Sequence, residues 1–161
     1  MNESRIPRSR QLFSSCVVIT LLLVAFLGLS SLSLAASLVA NADEVVVIVP
    51  AGSSVDTLSK TRLRAIFGMR SRTWAQGGAI KVFVLEDDNP VHVTFSKQVL
   101  HTFPFNLRRI WDRRVYSGTG QSPHVVKTEE EMRDKISRTE NSIGYLRRNR
   151  VDAAVKEVNL Q

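Results

Sequence analysis

Hydrophobic positions change period several times along the chain, and each change marks an element. Glu44–Pro50 reads EVVVIVP, a continuous β-branched run with a turn residue behind it. That pattern predicts a strand buried on both faces. Residues 50–54, PAGSS, then turn the chain. From Ser59 the period lengthens, with Leu63, Ile66 and Phe67 on one helical face. Ser59 is placed to cap this helix and Gly68 to close it. Residues 74–78 form a Gly-rich turn, and Ile80–Leu85, IKVFVL, predicts a second strand.

The acidic stretch 86–88 is followed by Asn89-Pro90. Asn is a good N-cap, and Pro suits the first helical position, where its missing N–H would be unpaired anyway. Phe95, Val99 and Leu100 supply the apolar face of that helix. A second proline start at Pro104 opens a helix to Val115, with Leu107, Ile110 and Trp111 inward and the Arg pairs outward. Ser117-Gly118-Thr119-Gly120 reads as a loop. Thr128 with Glu131 makes a capping box before Met132 and Ile136. Ser142–Leu146 and Ala153–Leu160 predict late strands. Strands alternating with helices indicate an α/β domain around a single mainly parallel or mixed sheet with flanking helices.

Residues 1–42 differ in kind from the rest. Arg5, Arg8 and Arg10 precede an apolar block from Cys16 to Leu29, and Ala40-Asn41-Ala42 ends the stretch. A basic start, an apolar core and an A-x-A-like end predict a secretory signal peptide over 1–42, cleaved before Asp43. The expected location is periplasmic, with an uncleaved inner-membrane anchor as the alternative. Cys16 is the one cysteine and goes with the leader, so the fold is expected to rest on its core rather than on disulfides. Removing 42 of 161 residues leaves 119, one domain's worth.

The chain carries 22 Lys+Arg against 15 Asp+Glu, a net charge of +7. The leader holds three Arg and one Glu, which leaves +5 for residues 43–161. That balance suits anionic partners such as oxyanions or acidic head groups, and export argues against nucleic acid.

Four segments, in order, carry a family resemblance: VVVIVPAGSSVDTLSKTRLRAIFGMRSRTWAQG, VFVLEDDNPVHVTF, RRIWDRRVYSGTG and NSIGYL. Together they resemble the small phosphate ABC transporter substrate-binding-like proteins, single-lobe relatives of class II periplasmic binding proteins. The resemblance covers nearly all of residues 43–161. It implies one lobe of that fold, no catalysis, no cofactor and a small oxyanion ligand, phosphate first. In two-lobed relatives a Ser-Gly-Thr turn at a helix N-terminus holds phosphate. The corresponding turn here is Asn89-Pro90-Val91-His92, which deletes one N–H donor and lacks a hydroxyl at Val91. One lobe cannot close a cleft within a single chain, so a homodimer is one way to rebuild it.

The expected ligand contacts are Ser53, Ser54, Asn89, Val91, His92, Ser117, Gly118 and Thr119, gathered at one edge of the sheet. For His92 the plain reading is an exposed surface histidine, and for the Ser117 loop a flexible connector. Arg108, Arg109, Arg113 and Arg114 read first as a solvated helix face, second as a contact for an acidic partner, lipid head groups or the ligand. Arg147, Arg148 and Arg150 form a second basic cluster. Neither a metal-ligand spacing nor a nucleophile–base pair stands out. Two functions remain open: an exported oxyanion-binding domain tied to transport, or an envelope interaction module that keeps the fold without a small ligand.

Overall fold

In the computed structural model of the chain, which describes residues 43–161, the β-branched run becomes strand β1 (Val45–Pro50). Val47, Ile48 and Val49 are at most 1% exposed, so both faces of β1 are covered. Then follow β2 (Thr57–Leu58), α1 (Lys60–Phe67), β3 (Lys81–Leu85) and α2 (Pro90–Thr94), which runs into a π-helical turn at Phe95–Val99. The chain continues through α3 (Pro104–Tyr116), β4 (His124–Val126), α4 (Glu129–Arg138), β5 (Ser142–Arg147), β6 (Val155–Glu157) and β7 (Asn159–Leu160). Residues 1–42, read above as a signal peptide, lie outside the described residues. Among the described residues, no helix is long and apolar enough to cross a membrane.

Five strands form one sheet in the order β4-β3-β5-β1-β6. β3 pairs in parallel with β4 and β5, whereas β1 runs antiparallel to β5 and β6. The expected α/β class is therefore met by a mixed sheet in which β1 alone opposes the common direction. This direction decides where loops emerge. Ile48 sits opposite Gly144 and Lys81 opposite Ser142, so the chain leaves β1 beside the start of β5 and enters β3 there too. It leaves β3 at the far edge. The loops after the first two long strands thus lie at opposite edges of the sheet.

Helix starts follow the sequence closely. Ser59 Oγ accepts from Arg62 N–H, Asn89 Oδ1 from Val91 N–H, and Thr128 Oγ1 from Glu131 N–H. The return arm of the capping box differs, because Glu131 accepts from Lys127 N–H rather than from Thr128. Gly68 closes α1, but with φ −79°, and the left-handed residue is Met69 at 56°. Glycine is needed at 68 for space, since a Cβ there would lie 2.8 Å from Arg64 O.

Late elements were harder to foresee. β4 has three residues and one buried position, which leaves no periodicity to detect. The expected strand over 153–160 splits into β6 and β7 around Val158, whose N–H donates to Val47 O. β2 and β7 form a separate two-stranded parallel pair.

The core joins helices to sheet through rings. Phe95 stacks on Tyr145 at 3.8 Å between centroids, and Phe67 meets Phe95 edge-on at 4.8 Å. Trp111 Nε1 donates to Phe67 O at 2.7 Å, tying α3 to the end of α1. Ile110 departs from its expected inward position, being 40% exposed while Leu107 and Trp111 are buried.

Candidate functional site

Asn89, Val91 and His92 stand where β3 hands over to α2, and the turn is closed to ligands. Asn89 occupies the Val91 N–H, Pro90 has none, and Val91 is buried. His92 is fully buried rather than exposed. Its Nδ1 is hydrogen-bonded to the Tyr145 hydroxyl, and Nε2 lies 3.5 Å from Ser96 Oγ and 3.9 Å from Asp87 Oδ1. Tyr145 O also accepts the Leu85 N–H at 2.9 Å. With the Leu85 N–H on the phenol oxygen, this arrangement suits a phenol that donates to Nδ1 and a His92 proton carried on Nε2. Burial lowers the His92 pKa against the opposing pull of Asp87, with Arg108 lowering it further. Burial likewise pushes the Tyr145 phenol up, so it stays protonated. Asp87 is held outside by Arg108 through two bonds of 2.9 Å. These groups look inward and hold the sheet edge together.

Ser117, Gly118 and Thr119 prove to be the cap of α3. Ser117 N–H donates to Arg113 O, Gly118 N–H to Val115 O, and the Thr119 and Gly120 N–H groups to Arg114 O. Gly118 takes the left-handed position at φ 67°, the Schellman arrangement that satisfies the last carbonyls. The hydroxyls are engaged too: Ser117 Oγ donates to Arg114 O and lies 2.8 Å from Thr119 Oγ1. The amide nest considered from the sequence is thus spent on the helix. No backbone donor of residues 117–120 is left for an anion.

Ser53 and Ser54 sit at the opposite sheet edge. Ser53 Oγ accepts from Val55 N–H, and Ser54 Oγ accepts from Gln76 Nε2. Ser54 opens on a cleft that also contains Arg62, Trp74 and Gln76. The antiparallel course of β1 separates this pair from Asn89, Val91 and His92. Ser54 lines one cavity, Ser117 and Thr119 line another, and Asn89, Val91 and His92 line neither.

The second cavity is the more basic of the two. It is a groove of about 670 Å³ between the end of α1 and α3, floored by Leu100, Leu107 and Ile110. Arg64, Arg70, Arg109, Arg113 and Arg114 line it, and no carboxylate of the described residues does. Among the described residues, none of the five forms an ion pair. Arg64 is fixed by its Nε bond to Leu100 O at 3.1 Å. The sequence pointed to Arg109, Arg113 and Arg114 through their helical spacing. It missed Arg64 and Arg70, whose signal was two cations flanking the glycine that ends α1.

The other basic cluster is neutralised. Arg147 pairs with Glu129, Arg148 with Glu44 and Glu157, and Arg150 with Glu130. Its carboxylate partners raise the pKa values of Arg147 and Arg148. Among the described residues, no three His, Cys, Asp or Glu side chains gather as a metal site.

No protein-family model and no curated protein matches the chain. Solved structures do. An ABC-type phosphate transport receptor from Vibrio cholerae superposes with a TM-score of 0.59 at 15% identity, over 73% of this chain and 46% of its own. A candidate phosphate ABC transporter substrate-binding protein from Clostridium perfringens, with bound phosphate, gives 0.58 at 17%, over 73% and 45%. PstS from Borrelia burgdorferi gives 0.56 at 16%, over 74% and 47%. The likeness is one of fold. The chain spans under half the length of these structures, as one lobe of a two-lobed receptor would.

Proposed function

We propose that this chain is a non-catalytic, exported solute-binding-like domain that takes a small oxyanion, phosphate first, in the arginine groove between α1 and α3. The convergence of five arginines on one groove, without an ion partner or a lining carboxylate among the described residues, carries this reading. Guanidinium groups present planar, paired N–H donors that match phosphate geometry. The receptor fold supports a solute-binding role connected with ABC-type transport, through a transporter or envelope partner. The groove is open, so a second copy of the chain would be one way to enclose the ligand. Export rests on the basic-apolar-AxA order of residues 1–42, and N-terminal sequencing of the exported protein should begin at Asp43.

A thermal-shift screen with phosphate and sulfate tests the site, because a ligand that binds only the folded form raises its melting point. Phosphate should raise it in the wild type and not in Arg70→Gln/Arg113→Gln. Equal shifts in both proteins would move the site elsewhere. No shift with any oxyanion would favour a second reading, an envelope interaction module that keeps the fold without a small ligand. That reading draws on the spent amides of Ser117–Gly120 and the closed turn at Asn89.

A further inference from the structure

α3 carries exposed rings that a small-oxyanion site leaves unused. Phe105 and Tyr116 stand eleven positions apart, close to three turns at about 3.6 residues each, so they share one stripe of the helix. They are 59% and 90% exposed. Phe103, just before the helix, is 53% exposed and stacks on Phe105 at 5.9 Å between centroids. The Lys97 ammonium lies 5.6 Å from the centre of the Phe103 ring. By helical spacing, Arg109 falls on the Phe105–Tyr116 stripe and Arg113 beside it, at the wall of the arginine groove. Asp112 also falls on the stripe, and its charge acts on Arg108.

Rings this exposed forgo the stabilisation that burial would bring, and a soluble helix face would normally be polar there. Protein interfaces also enrich aromatic residues and Arg but deplete Lys, and Lys97 stands over the Phe103 ring. Here rings stand at both ends of one outward face about 16 Å long at the helical rise, with Arg109 and Arg113 outnumbering Asp112 between them. That composition suits the head-group layer of a bilayer, where aromatic rings settle at the interface and arginines meet lipid phosphates.

We propose that α3 docks the domain on an anionic membrane surface. Phe103, Phe105 and Tyr116 enter the head-group layer, and Arg109 and Arg113 contact lipid phosphates. The rings lie outside the oxyanion groove, whereas Arg109 and Arg113 line it and are shared by both readings.

The test uses the full chain with Phe105→Trp as a reporter. Trp74 and Trp111 are 5% and 0% exposed, and residues 1–42 contain no tryptophan. A change in emission on adding vesicles therefore reports α3, whatever residues 1–42 do at the bilayer. Phosphatidylglycerol-containing vesicles should shift the reporter's emission to the blue, and brominated lipid should quench it. Pure phosphatidylcholine vesicles should do neither. Adding Arg109→Gln and Arg113→Gln should weaken the response about fivefold per arginine, on the order of 25-fold together. No shift with anionic vesicles, or an equal shift with neutral ones, overturns the proposal. A shift with soluble polyglutamate but not with vesicles would make the partner an acidic protein. A matching shift with free inorganic phosphate would reduce the effect to anion binding in the groove.

Discussion

The Tyr145 hydroxyl and His92 Nδ1 are hydrogen-bonded inside the protein, although 53 positions separate the two residues. The pair joins β5 to α2, and the Leu85 N–H on the same phenol adds β3. One hydroxyl thus fixes three elements at the sheet edge where an open α/β fold would ordinarily receive a ligand. The hydroxyl is engaged by His92, and the Leu85 N–H takes a lone pair on its oxygen.

His92→Ala should destabilise the domain by about 2–4 kcal/mol, through a cavity and an unsatisfied phenol. The exposed histidine expected from the sequence would have left stability unchanged. Tyr145→Phe removes the hydroxyl alone and should cost less, about 1–3 kcal/mol. Urea denaturation of the three proteins measures both. Wild-type stability in His92→Ala would mean the ring makes no net contribution.

The same burial gives a pH dependence. His92 has a native pKa lowered from the ordinary value by desolvation. A lowered base binds its proton more readily when unfolded, so its contribution is complete above about pH 6.5. It is lost progressively as pH falls from there to the lowered native value, and is constant below that. Wild-type stability should therefore decline across this window more steeply than that of His92→Gln. Parallel declines in the two proteins would assign the pH dependence to other groups.

Local signals are legible in this sequence where one element decides the outcome. Ser59, Asn89 and Thr128 cap as their residue types require, because a cap concerns only a few neighbouring residues. The candidate site depended on long-range pairing, and there the reading diverged. Nothing in EVVVIVP states that β1 runs against β5, yet that direction alone separates Ser53 and Ser54 from Asn89. His92 looked like a surface residue because its partner lies in SIGYL, far along the chain. Ser117-Gly118-Thr119 suggested an anion loop, but the same residues make a good helix stop, and the helix carbonyls took the donors.

Gly144 shows how tightly α4 lies on the sheet. A Cβ at this position would sit 2.6 Å from Met132 Sδ and 3.2 Å from Ile136 Cδ1, both side chains being fully buried. Gly144→Ala should therefore cost about 1–3 kcal/mol by overpacking. Met132→Ala on its own creates a cavity, but combined with Gly144→Ala it removes the nearest clash. The double variant should be more stable than the sum of the single losses predicts. Simple additivity in denaturation midpoints would show that the helix shifts away instead.

Glu129 and Arg147 form an ion pair of unequal burial. The Glu129 side chain is 7% exposed and that of Arg147 is 39% exposed. Glu129 accepts the Arg147 N–H at 2.7 Å through one oxygen, and Nε and Nη2 at 2.9 and 2.6 Å through the other. Removing the exposed partner leaves a carboxylate without its cation in a place water reaches poorly. Removing the carboxylate leaves an arginine that can turn back into solvent. Arg147→Ala should therefore cost more, about 2–4 kcal/mol, against about 1–2 kcal/mol for Glu129→Gln, which keeps an acceptor for the strand N–H. High salt should change this difference little, because a sheltered pair is screened far less than an exposed one. Chemical denaturation by urea at low and high sodium chloride gives both quantities. Equal costs that vanish together in salt would reduce the pair to an ordinary surface contact.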